Sequence, residues 1–300
     1  MVEIHRAIKR LTAPAEEPVT TAEAKSWMNV DISSDDTMIA SMVAAARLQA
    51  ELYTGRTFVA TQWQVVYDDF PDARDPILLP KPPLLFVKQI KYTDTDGVTQ
   101  TWGDRIMEAR VTPATVENTD VFKILVGGVE IASFTATDGT VANVTAGLET
   151  AWNTSTHDFV SGITAADQTT YLELKGATGQ GFVVTTSTTD GGGADAQTLT
   201  VTVTQDESTL YTIDDISEPA RIEPATTQSY KSTQDDVNAV QIDLLSGYGA
   251  ASDVPENAKS AIKMMVADAY EHRESNLEIR LQENMAAKAL LWGLRVLNAV

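Results

Sequence analysis

Acidic residues next to glycine are the features of this sequence that could bind a metal ion. The stretch Tyr92–Trp102 reads YTDTDGVTQTW, in which Asp94, Asp96 and Gly97 have the spacing that opens a calcium-binding loop. Such a loop carries a bidentate Glu about twelve residues from its start and lies between two helices. The sequence has Arg105 there instead, and both flanks are rich in β-forming residues. The stretch therefore predicts a turn between two strands.

Two further glycine-rich stretches could bind phosphate or calcium. Gly176–Gly181 (GATGQG) lies between predicted strands and lacks the Lys and the helix that a phosphate-binding loop requires, so a turn is favoured. Asp190–Asp195 (DGGGAD) has two carboxylates that could bind calcium, but alone it is typical of a flexible hairpin loop. The histidines His5, His157 and His272 have no metal-ligand spacing, and no serine lies in a G-x-S-x-G motif. We therefore predict no enzyme, no cofactor and no metal site.

The composition excludes several classes of protein. The 300 residues include no cysteine, which excludes disulfides, zinc–thiolate sites and cysteine nucleophiles. No run reaches the roughly 18 apolar residues of a membrane span, and the first residues show no secretory signal, so we predict no membrane partner. The formal net charge of −20 argues against a broad nucleic-acid-binding face. The same charge suits the wall of a channel through which DNA passes without adhering.

The first of three sections, up to about Trp102, combines helices and strands. Thr20 and Glu23 form a predicted capping box, followed by a short helix through about Met28. A longer helix begins near Ser34 and ends at Gly55. Its predicted apolar stripe is Met38, Ile39, Met42, Val43, Ala46, Ala50 and Tyr53. Three extended segments follow, at Thr57–Phe70, Ile77–Pro80 and Leu84–Tyr92.

The middle section, about Met107–Ser208, has thirteen acidic residues against three basic ones and is rich in Thr, Val and Gly. It predicts a hairpin around Gly127-Gly128 and a helix over Thr140–Trp152. Three more strands are predicted, at Tyr171–Lys175, Gly181–Ser187 and Thr198–Thr204. The third section has short strands at Leu210–Ile213, Ala220–Pro224 and Val237–Leu245, then a helix from Pro255 and a terminal helix over Asn284–Val300.

Several stretches occur in an order that resembles a known family. They are PVTTAEAKSWMNVD, DDTMIASMVAAARLQAELYTGR and LPKPPLLFVKQIKYTDTDG and, after the middle section, YTID, ARIEP, VQIDLLSGYG and VPENAKSAIKMMVADAYEHRES. As an ordered set they resemble the head–tail connector (adaptor or head-completion) proteins of long-tailed bacteriophages and related prophages. The middle section departs from this pattern, because ordinary members of the family lack it.

The resemblance implies an α+β fold in two parts. A helical bundle with a small antiparallel β-element, residues 1–106 and 209–300, forms a discontinuous connector core. Residues 107–208 form an inserted β-rich domain with one helix. The implied function is that of a structural virion protein: an adaptor ring of about twelve copies that docks to the portal at the capsid vertex. It joins head to tail and leaves a DNA channel.

The same resemblance implies the partners and the location. The partners are the portal protein, a tail-side neck or tail terminator protein, and further copies of the chain itself. Genomic DNA is only transient cargo in the channel. The implied location is the neck of the virion, at the head–tail interface, and the host cytoplasm during assembly.

The terminal helix indicates a partner surface on separate grounds. Its apolar residues occupy two faces, and one small subunit has difficulty burying both, although burial of both in its own core is the alternative. We predict that Trp292 and the leucines anchor this partner, which the resemblance implies is the portal. The predicted docking residues are Leu290, Leu291, Trp292, Leu294, Arg295, Val296, Leu297 and Val300. Tyr270 and Arg273 are candidate contacts between subunits, although Arg273 has neighbouring glutamates with which it can pair within its helix.

A second hypothesis is a β-rich surface module that binds a glycan or calcium, with the helices as an anchor. Glycan binding needs exposed aromatic side chains, and the middle section offers few, most of them at predicted core positions. They are Phe122, Phe134, Trp152, Phe159, Tyr171 and Phe182. A hydrolase would need a perturbed pair of carboxylates in a cleft, and the sequence shows no such constellation.

Overall fold

The computed structural model describes residues 6–72, 74–193, 196–205, 208–272 and 284–296. These ranges form a mixed α/β structure with five α-helices and with fifteen strands in four antiparallel sheets. The prediction of helices combined with antiparallel sheets is confirmed at this level. Among the described residues, no helix has both the length and the apolar character that a membrane span requires.

The first two helices begin and end at the residues that local chemistry predicts. Helix α1 (Thr21–Met28) follows the N-cap Thr20, whose hydroxyl accepts from the Glu23 N–H while the Glu23 carboxylate accepts from the Thr20 N–H. Helix α2 (Asp36–Thr54) ends at Gly55, which has φ 74°. Glycine has no Cβ and adopts this left-handed conformation without strain. Both predictions are confirmed.

Helices α4 (Glu256–Glu271) and α5 (Met285–Trp292) pack with α1 and α2 around one apolar core. α3 lies elsewhere in the chain and is described below. The predicted stripe of α2 supplies much of this core, because its residues recur at helical spacing on one side. Buried members of the core are Ile39, Val43, Ala46, Ala50, Ala258, Ala261, Ile262, Val266, Ala287 and Leu291.

The chain also forms a five-stranded antiparallel sheet, with strand order β1-β2-β15-β4-β5. Its strands are β1 (Arg6–Arg10), β2 (Thr61–Tyr67), β15 (Val240–Ser246), β4 (Leu84–Thr93) and β5 (Thr99–Thr101). A three-stranded sheet of order β13-β14-β3 contains β13 (Tyr211–Asp214), β14 (Arg221–Pro224) and β3 (Ile77–Leu78). The connector core was expected to contain only a small β-element. These two sheets together have eight strands in the described chain.

One face of the five-stranded sheet packs against the three-stranded sheet. Val65, Ile90 and Ile242 occupy directly paired positions across β2, β15 and β4, and all three are buried. Ile222 of β14 belongs to the same apolar cluster. Because side chains alternate between the faces of a strand, the same register places polar residues such as Asp243 on the opposite face.

The middle unit, defined as residues 107–205, forms two further sheets and a helix. The four-stranded sheet has the order β12-β6-β10-β9, and the three-stranded sheet has the order β11-β7-β8. The elements are β6 (Glu108–Ala114), β7 (Val121–Val126), β8 (Val129–Thr135), α3 (Val141–Asn153), β9 (Thr164–Asp167), β10 (Leu172–Lys175), β11 (Val184–Thr189) and β12 (Thr198–Gln205). The hairpin at Gly127-Gly128 and the helix predicted over Thr140–Trp152 are confirmed, and Thr140 is the N-cap of that helix.

Three strands were not predicted: β1, β6 and β9. β1 and β9 are short, and neither has the β-branched run that marks a strand. β6 contains Pro113, which argues against a strand in the middle of a sheet. In the structure β10 pairs with β6 only as far as Val111, so Pro113 has one neighbouring strand and its missing N–H costs no ladder bond.

The middle unit joins the rest of the chain along a contact surface of apolar and polar residues. Ala60, Phe86 and Leu245 of the five-stranded sheet region are buried in the same apolar cluster as the core of the middle unit. The Lys88 ammonium donates to the backbone oxygen of Asp158 at 2.5 Å. Burial lowers the pKa of Lys88, while the carboxylates of Asp243 and Asp158 act in the opposite direction.

Candidate interface at the C-terminal helix

The terminal helix is shorter than predicted. α5 ends at Trp292, and residues 293–296 continue without helical structure, whereas the sequence predicted a helix to Val300. The buried positions are Ala287 and Leu291, one turn apart, which pack in the core of α1, α2, α4 and α5. Ala286 and Ala289 are exposed, whereas Leu290 and Leu294 are partly buried against the same core. Spacing alone cannot tell which side of a short apolar helix meets its neighbours.

Leu291 therefore needs a correction as a docking residue. It is 2% exposed and lies within the chain's own core. Its neighbour Trp292 is 62% exposed, as the predicted anchor should be. The other predicted docking residues in the described ranges are partly buried: Leu290, Leu294, Arg295 and Val296. Leu297 and Val300 lie outside the described residues.

Arg295 links the exposed tryptophan to helix α2. Its guanidinium carbon lies 4.9 Å from the centre of the Trp292 ring and 5.2 Å from the centre of the Tyr53 ring. The Lys288 ammonium lies 5.8 Å from the same Tyr53 ring. A cation over an aromatic ring is stabilised by about 0.5–1 kcal/mol at an exposed site. The arrangement keeps the Trp292 side chain in place while most of its surface stays open.

Two leucines of helix α2 are also exposed. Leu48 and Leu52 are one turn apart on the helix, and Leu52 is 75% exposed. Tyr53 follows Leu52 directly, but consecutive residues of a helix do not face each other, so the leucines lie on a different side of α2 from the Tyr53 ring. Met285 at the start of α5 is also exposed. Exposed apolar side chains such as these are candidates for contact with a partner. Leu48 and Leu52 were not predicted as contact residues, because they lie outside the apolar stripe of α2.

The backbone after α5 is held in place by Arg56, from the YTGR stretch. Arg56 Nε donates to the Leu294 carbonyl oxygen at 2.5 Å, and its two terminal nitrogens form a bidentate ion pair with Glu218. The Val296 N–H donates to the Thr54 carbonyl oxygen at 2.9 Å. The Glu218 bond raises the pKa of Arg56, against the effect of burial. The segment thus has a defined path over the end of α2.

The two predicted subunit contacts have different outcomes. The Tyr270 hydroxyl donates to the Asp35 carboxylate at 2.7 Å, within the same chain. This bond links the end of α4 to the start of α2, and the two residues are far apart in sequence. Arg273 lies outside the described residues.

The loops considered as ligand sites are turns with internal hydrogen bonds. The Asp94 carboxylate accepts from the backbone N–H groups of Asp96 and Val98, and from the Gln100 amide, between the paired strands β4 and β5. The prediction of a strand turn is confirmed. The hydrogen bond from Gln100, followed by the one from Val98, lowers the pKa of Asp94.

The other two glycine-rich stretches also form turns. Gly179 and Gly181 donate to the carbonyl oxygens of Arg105 and Lys88 at 2.8 Å, so this turn packs the middle unit against the first section. The Asp190 carboxylate accepts from the N–H groups of Gly192 and Gly193. In the described part of the chain, no three acidic or histidine side chains form a group that could hold a metal ion.

The aromatic residues of the middle unit lie mostly in its core, as predicted. Phe122, Trp152, Phe159 and Phe182 are at most 2% exposed. The Arg110 guanidinium covers the partly exposed Tyr171 ring at 4.8 Å. Phe134 is partly buried against the same core. These six positions therefore provide no open platform for stacking a sugar ring.

The first part of the chain matches a known protein family. Residues 19–110 match the family described as phage gp6-like head-tail connector protein. The matched range includes α1, α2, β2 and β4, and ends in β6. The resemblance inferred from the sequence is confirmed by this match, which covers the first of the two resembling pieces. No curated protein matches the chain.

Solved structures of related architecture cover almost the whole chain. A chain in the neck of an empty GTA particle computed with C6 symmetry is 12% identical, with a TM-score of 0.51. A chain in the virion of a native gene transfer agent particle is 11% identical, with a TM-score of 0.50. Each comparison covers 98% of this chain and 97% of the other. The shared fold therefore includes the middle unit, which the sequence analysis regarded as a departure from the family pattern.

Proposed function

We propose that the protein is a structural component of a phage-type virion neck, where it joins head to tail. The observation that carries this proposal is the match of residues 19–110 to head-tail connector proteins. The fold shared with a chain of a solved neck supports it. That neck was computed with C6 symmetry, which fits a subunit that works as one of several copies in a ring. On the resemblance we propose about twelve copies.

We further propose that the C-terminal surface docks on the portal protein. The surface is centred on Tyr53, Trp292 and Arg295, and the exposed Leu48 and Leu52 of α2 are further candidate contacts. Trp and Arg are the side chains that most often dominate binding energy at interfaces, and here they stack on one another. The defined path of residues 293–296 over α2 supports this role, because a pre-ordered surface loses less entropy on binding. Leu291 is not part of the proposed surface.

A DNA channel is consistent with the charge of the chain. The net charge of −20 repels phosphates, so a ring of such subunits can surround DNA without holding it. Genomic DNA then passes through as cargo. The tail-side face would contact the next neck protein or a tail terminator. The proposed role is structural, without catalysis.

We propose that residues 107–208 form an inserted domain in a core made from residues 1–106 and 209–300. Hydrogen bonds between the two ends of the insert support this division. Asp104 accepts from the Ser208 hydroxyl at 2.8 Å and from the Thr209 N–H at 2.9 Å. Burial raises the pKa of Asp104, but these bonds outweigh that effect and lower it. Ends that meet in this way can be joined by a short loop.

The insertion proposal is tested by deleting Met107–Ser208 and joining the ends with a short loop. Phe86 and Leu245 would then be exposed, because they pack against the deleted unit. A second version should therefore also carry Phe86→Thr and Leu245→Thr. We expect cooperative unfolding and the circular dichroism of a folded α+β core. Failure of both versions to fold would show that the middle unit is part of one common folding unit.

The neck proposal is tested by electron cryomicroscopy of the protein mixed with purified portal. We expect rings on the narrow end of the portal. Trp292→Ala should abolish or strongly reduce ring formation. Trp27→Ala is a matched control. Trp27 is also exposed and also has a cation over its ring, the Lys263 ammonium at 5.6 Å, but it lies on α1. A folded protein that never joins an intact portal would contradict the proposal and favour the surface-binding hypothesis.

A further inference from the structure

Strand β1 forms an open edge of the five-stranded sheet. It pairs with β2 on one side, and no described strand lies on its other side. An edge strand presents backbone N–H and C=O groups that can pair with another chain. No residue of β1 is part of the proposed portal-docking surface on α2 and α5. A partner bound at this edge would therefore be additional to the contacts of the proposed function.

The register shows which residues of β1 present their backbone outward. The Leu11 N–H donates to the Gln62 carbonyl oxygen at 2.9 Å, so Leu11 is directed toward β2. Hydrogen-bonded and non-bonded pairs alternate along an antiparallel ladder. Ala7 and Lys9 are therefore also directed toward β2. The N–H and C=O groups of Arg6, Ile8 and Arg10 are directed toward the open edge.

The side chains of Arg6, Ile8 and Arg10 share one face of the sheet, because alternate residues of a strand project to the same side. Arg6 and Ile8 line a small groove of about 140 Å³. Its other lining residues are the apolar Leu78, Pro80, Pro82, Pro219 and Val296, together with Gly55 and the basic Lys81. Because Val296 belongs to the segment after α5, the groove lies next to the proposed portal-docking surface. Ile8 is 38% exposed and leaves this apolar groove accessible from the edge.

The edge is basic in a strongly acidic protein. Arg6, Lys9 and Arg10 are three of the five residues of β1. In the described ranges, no carboxylate lies within 4.0 Å of the charged groups of Arg10 or Lys81. The Lys81 ammonium lies 5.3 Å from the Trp63 ring. A partner that approaches this edge meets positive charge beside an apolar groove.

We propose that β1 is a docking edge for an extended acidic segment of a partner protein, which adds to the sheet as a further strand. Backbone bonds to Arg6, Ile8 and Arg10 would hold the segment, as in other cases of strand addition. Residues directly opposite on the same face interact most strongly. The segment that fits has an apolar residue opposite Ile8, in the groove, and acidic residues two positions away on either side, opposite Arg6 and Arg10.

Basic residues on an edge strand also have a simpler role, which is to prevent association between sheets. An edge with that role alone has no need of an exposed isoleucine beside an apolar groove. The combination of outward backbone groups, flanking cations and groove is what favours docking. The experiment distinguishes these two roles.

The test uses the full-length protein and a labelled peptide, Ac-TETVTET-NH2, followed by fluorescence polarisation at low salt and at physiological salt. Ac-TKTVTKT-NH2 reverses the charge, and Ac-TEEVTTT-NH2 keeps the composition but changes the order. We expect saturable binding of the first peptide with Kd below about 1 mM. The other two should bind at least about tenfold more weakly. The N–H groups of Ile8 and Arg10 should become protected from hydrogen exchange in the complex.

Two variants locate the binding at the edge. Ile8→Pro removes the outward N–H without removing a bond to β2, whereas Ile8→Val keeps that N–H and the apolar branch. We expect at least about tenfold weaker binding for Ile8→Pro, and near-normal binding for Ile8→Val. Arg10→Glu provides a second test that does not alter the backbone, and should also weaken binding. Equal binding of all three peptides, equal binding by these variants, or no saturable binding would overturn the proposal and leave β1 as a charge-protected edge.

Discussion

The carboxylate of Glu51 accepts a hydrogen bond from the backbone N–H of Phe58 at 2.9 Å. This bond joins the last turn of α2 to the chain that enters β2. The other carboxylate oxygen accepts from Arg47 at 2.9 Å, and both side chains are buried. Helix and sheet are therefore connected by a charged group inside the protein, where an unpaired partner is costly.

Replacing Glu51 should destabilise the protein strongly. Glu51→Ala leaves the Phe58 N–H without its acceptor and removes one of the two carboxylates that pair with the buried Arg47, so that the pair with Glu17 remains. We expect a loss of about 2–4 kcal/mol in the free energy of unfolding, measured with chemical denaturant. Gln49→Ala, on the exposed side of the same helix, is the control and should change it by less than about 0.5 kcal/mol. Equal effects of the two changes would contradict this role for Glu51.

Substitution of Leu291 should mainly reduce stability, whereas substitution of its neighbour Trp292 should mainly reduce docking. Leu291→Ala opens a cavity in the helical core and should cost about 2–4 kcal/mol. Trp292→Ala removes an exposed ring with one cation contact and should cost less than about 1 kcal/mol. Thermal or denaturant unfolding measures both. A large stability loss for Trp292→Ala would mean that docking defects in this variant reflect unfolding.

Asp120 should be essential for the loops at one end of the middle unit. It is fully buried, and its two oxygens accept from the Glu117 N–H at 2.8 Å and the Gly191 N–H at 3.0 Å. Asp120→Ala leaves two backbone donors unpaired and should cost about 2–4 kcal/mol. Glu130→Ala, which removes an exposed ion pair with Lys123, should cost less than about 1 kcal/mol. Wild-type stability of Asp120→Ala would refute the anchoring role.

Gly128 lies at the junction of the middle unit with the rest of the chain, and its substitution should destabilise the protein. Its φ is 79°, and a Cβ there would lie 2.2 Å from the Ala250 nitrogen. Gly128→Ala should therefore destabilise the protein by at least about 2 kcal/mol. Gly293→Ala is the matched control, because a Cβ at Gly293 meets nothing within 4 Å. If both alanines are tolerated equally, the close approach of Gly128 to Ala250 is not a constraint in solution.

The Arg56–Glu218 pair should make a pH-dependent contribution to stability. The hydrogen bond from Arg56 lowers the pKa of Glu218 below its ordinary value of 4.5. Because the folded pKa is the lower one, the contribution is complete above pH 4.5 and is lost as the pH falls through the folded value. The stability difference between wild type and Glu218→Gln should be largest near neutral pH and should narrow on acidification. A difference that grows in acid would contradict this assignment.

Local chemistry determined many features of this protein from the sequence alone. The Thr20 capping box, the Gly55 helix end, the Gly127-Gly128 hairpin and the Asp94 turn were all predicted correctly. Each depends on interactions within a few residues, so the sequence contains the necessary information. The apolar stripe of α2 was also correct, because a helix of nineteen residues gives a clear period.

Only the tertiary structure decided which residues meet across long sequence separations. Arg56 and Glu218 are 162 residues apart, and nothing near either residue indicates the pair. Leu291 is buried and Trp292 is exposed because of where α2 and α4 lie. The sequence of α5 does not show this, since the helix has apolar residues on more than one side. β1 becomes a strand through its pairing with β2 rather than through its own composition. These features depend on packing between distant segments, whose free energies no local pattern records.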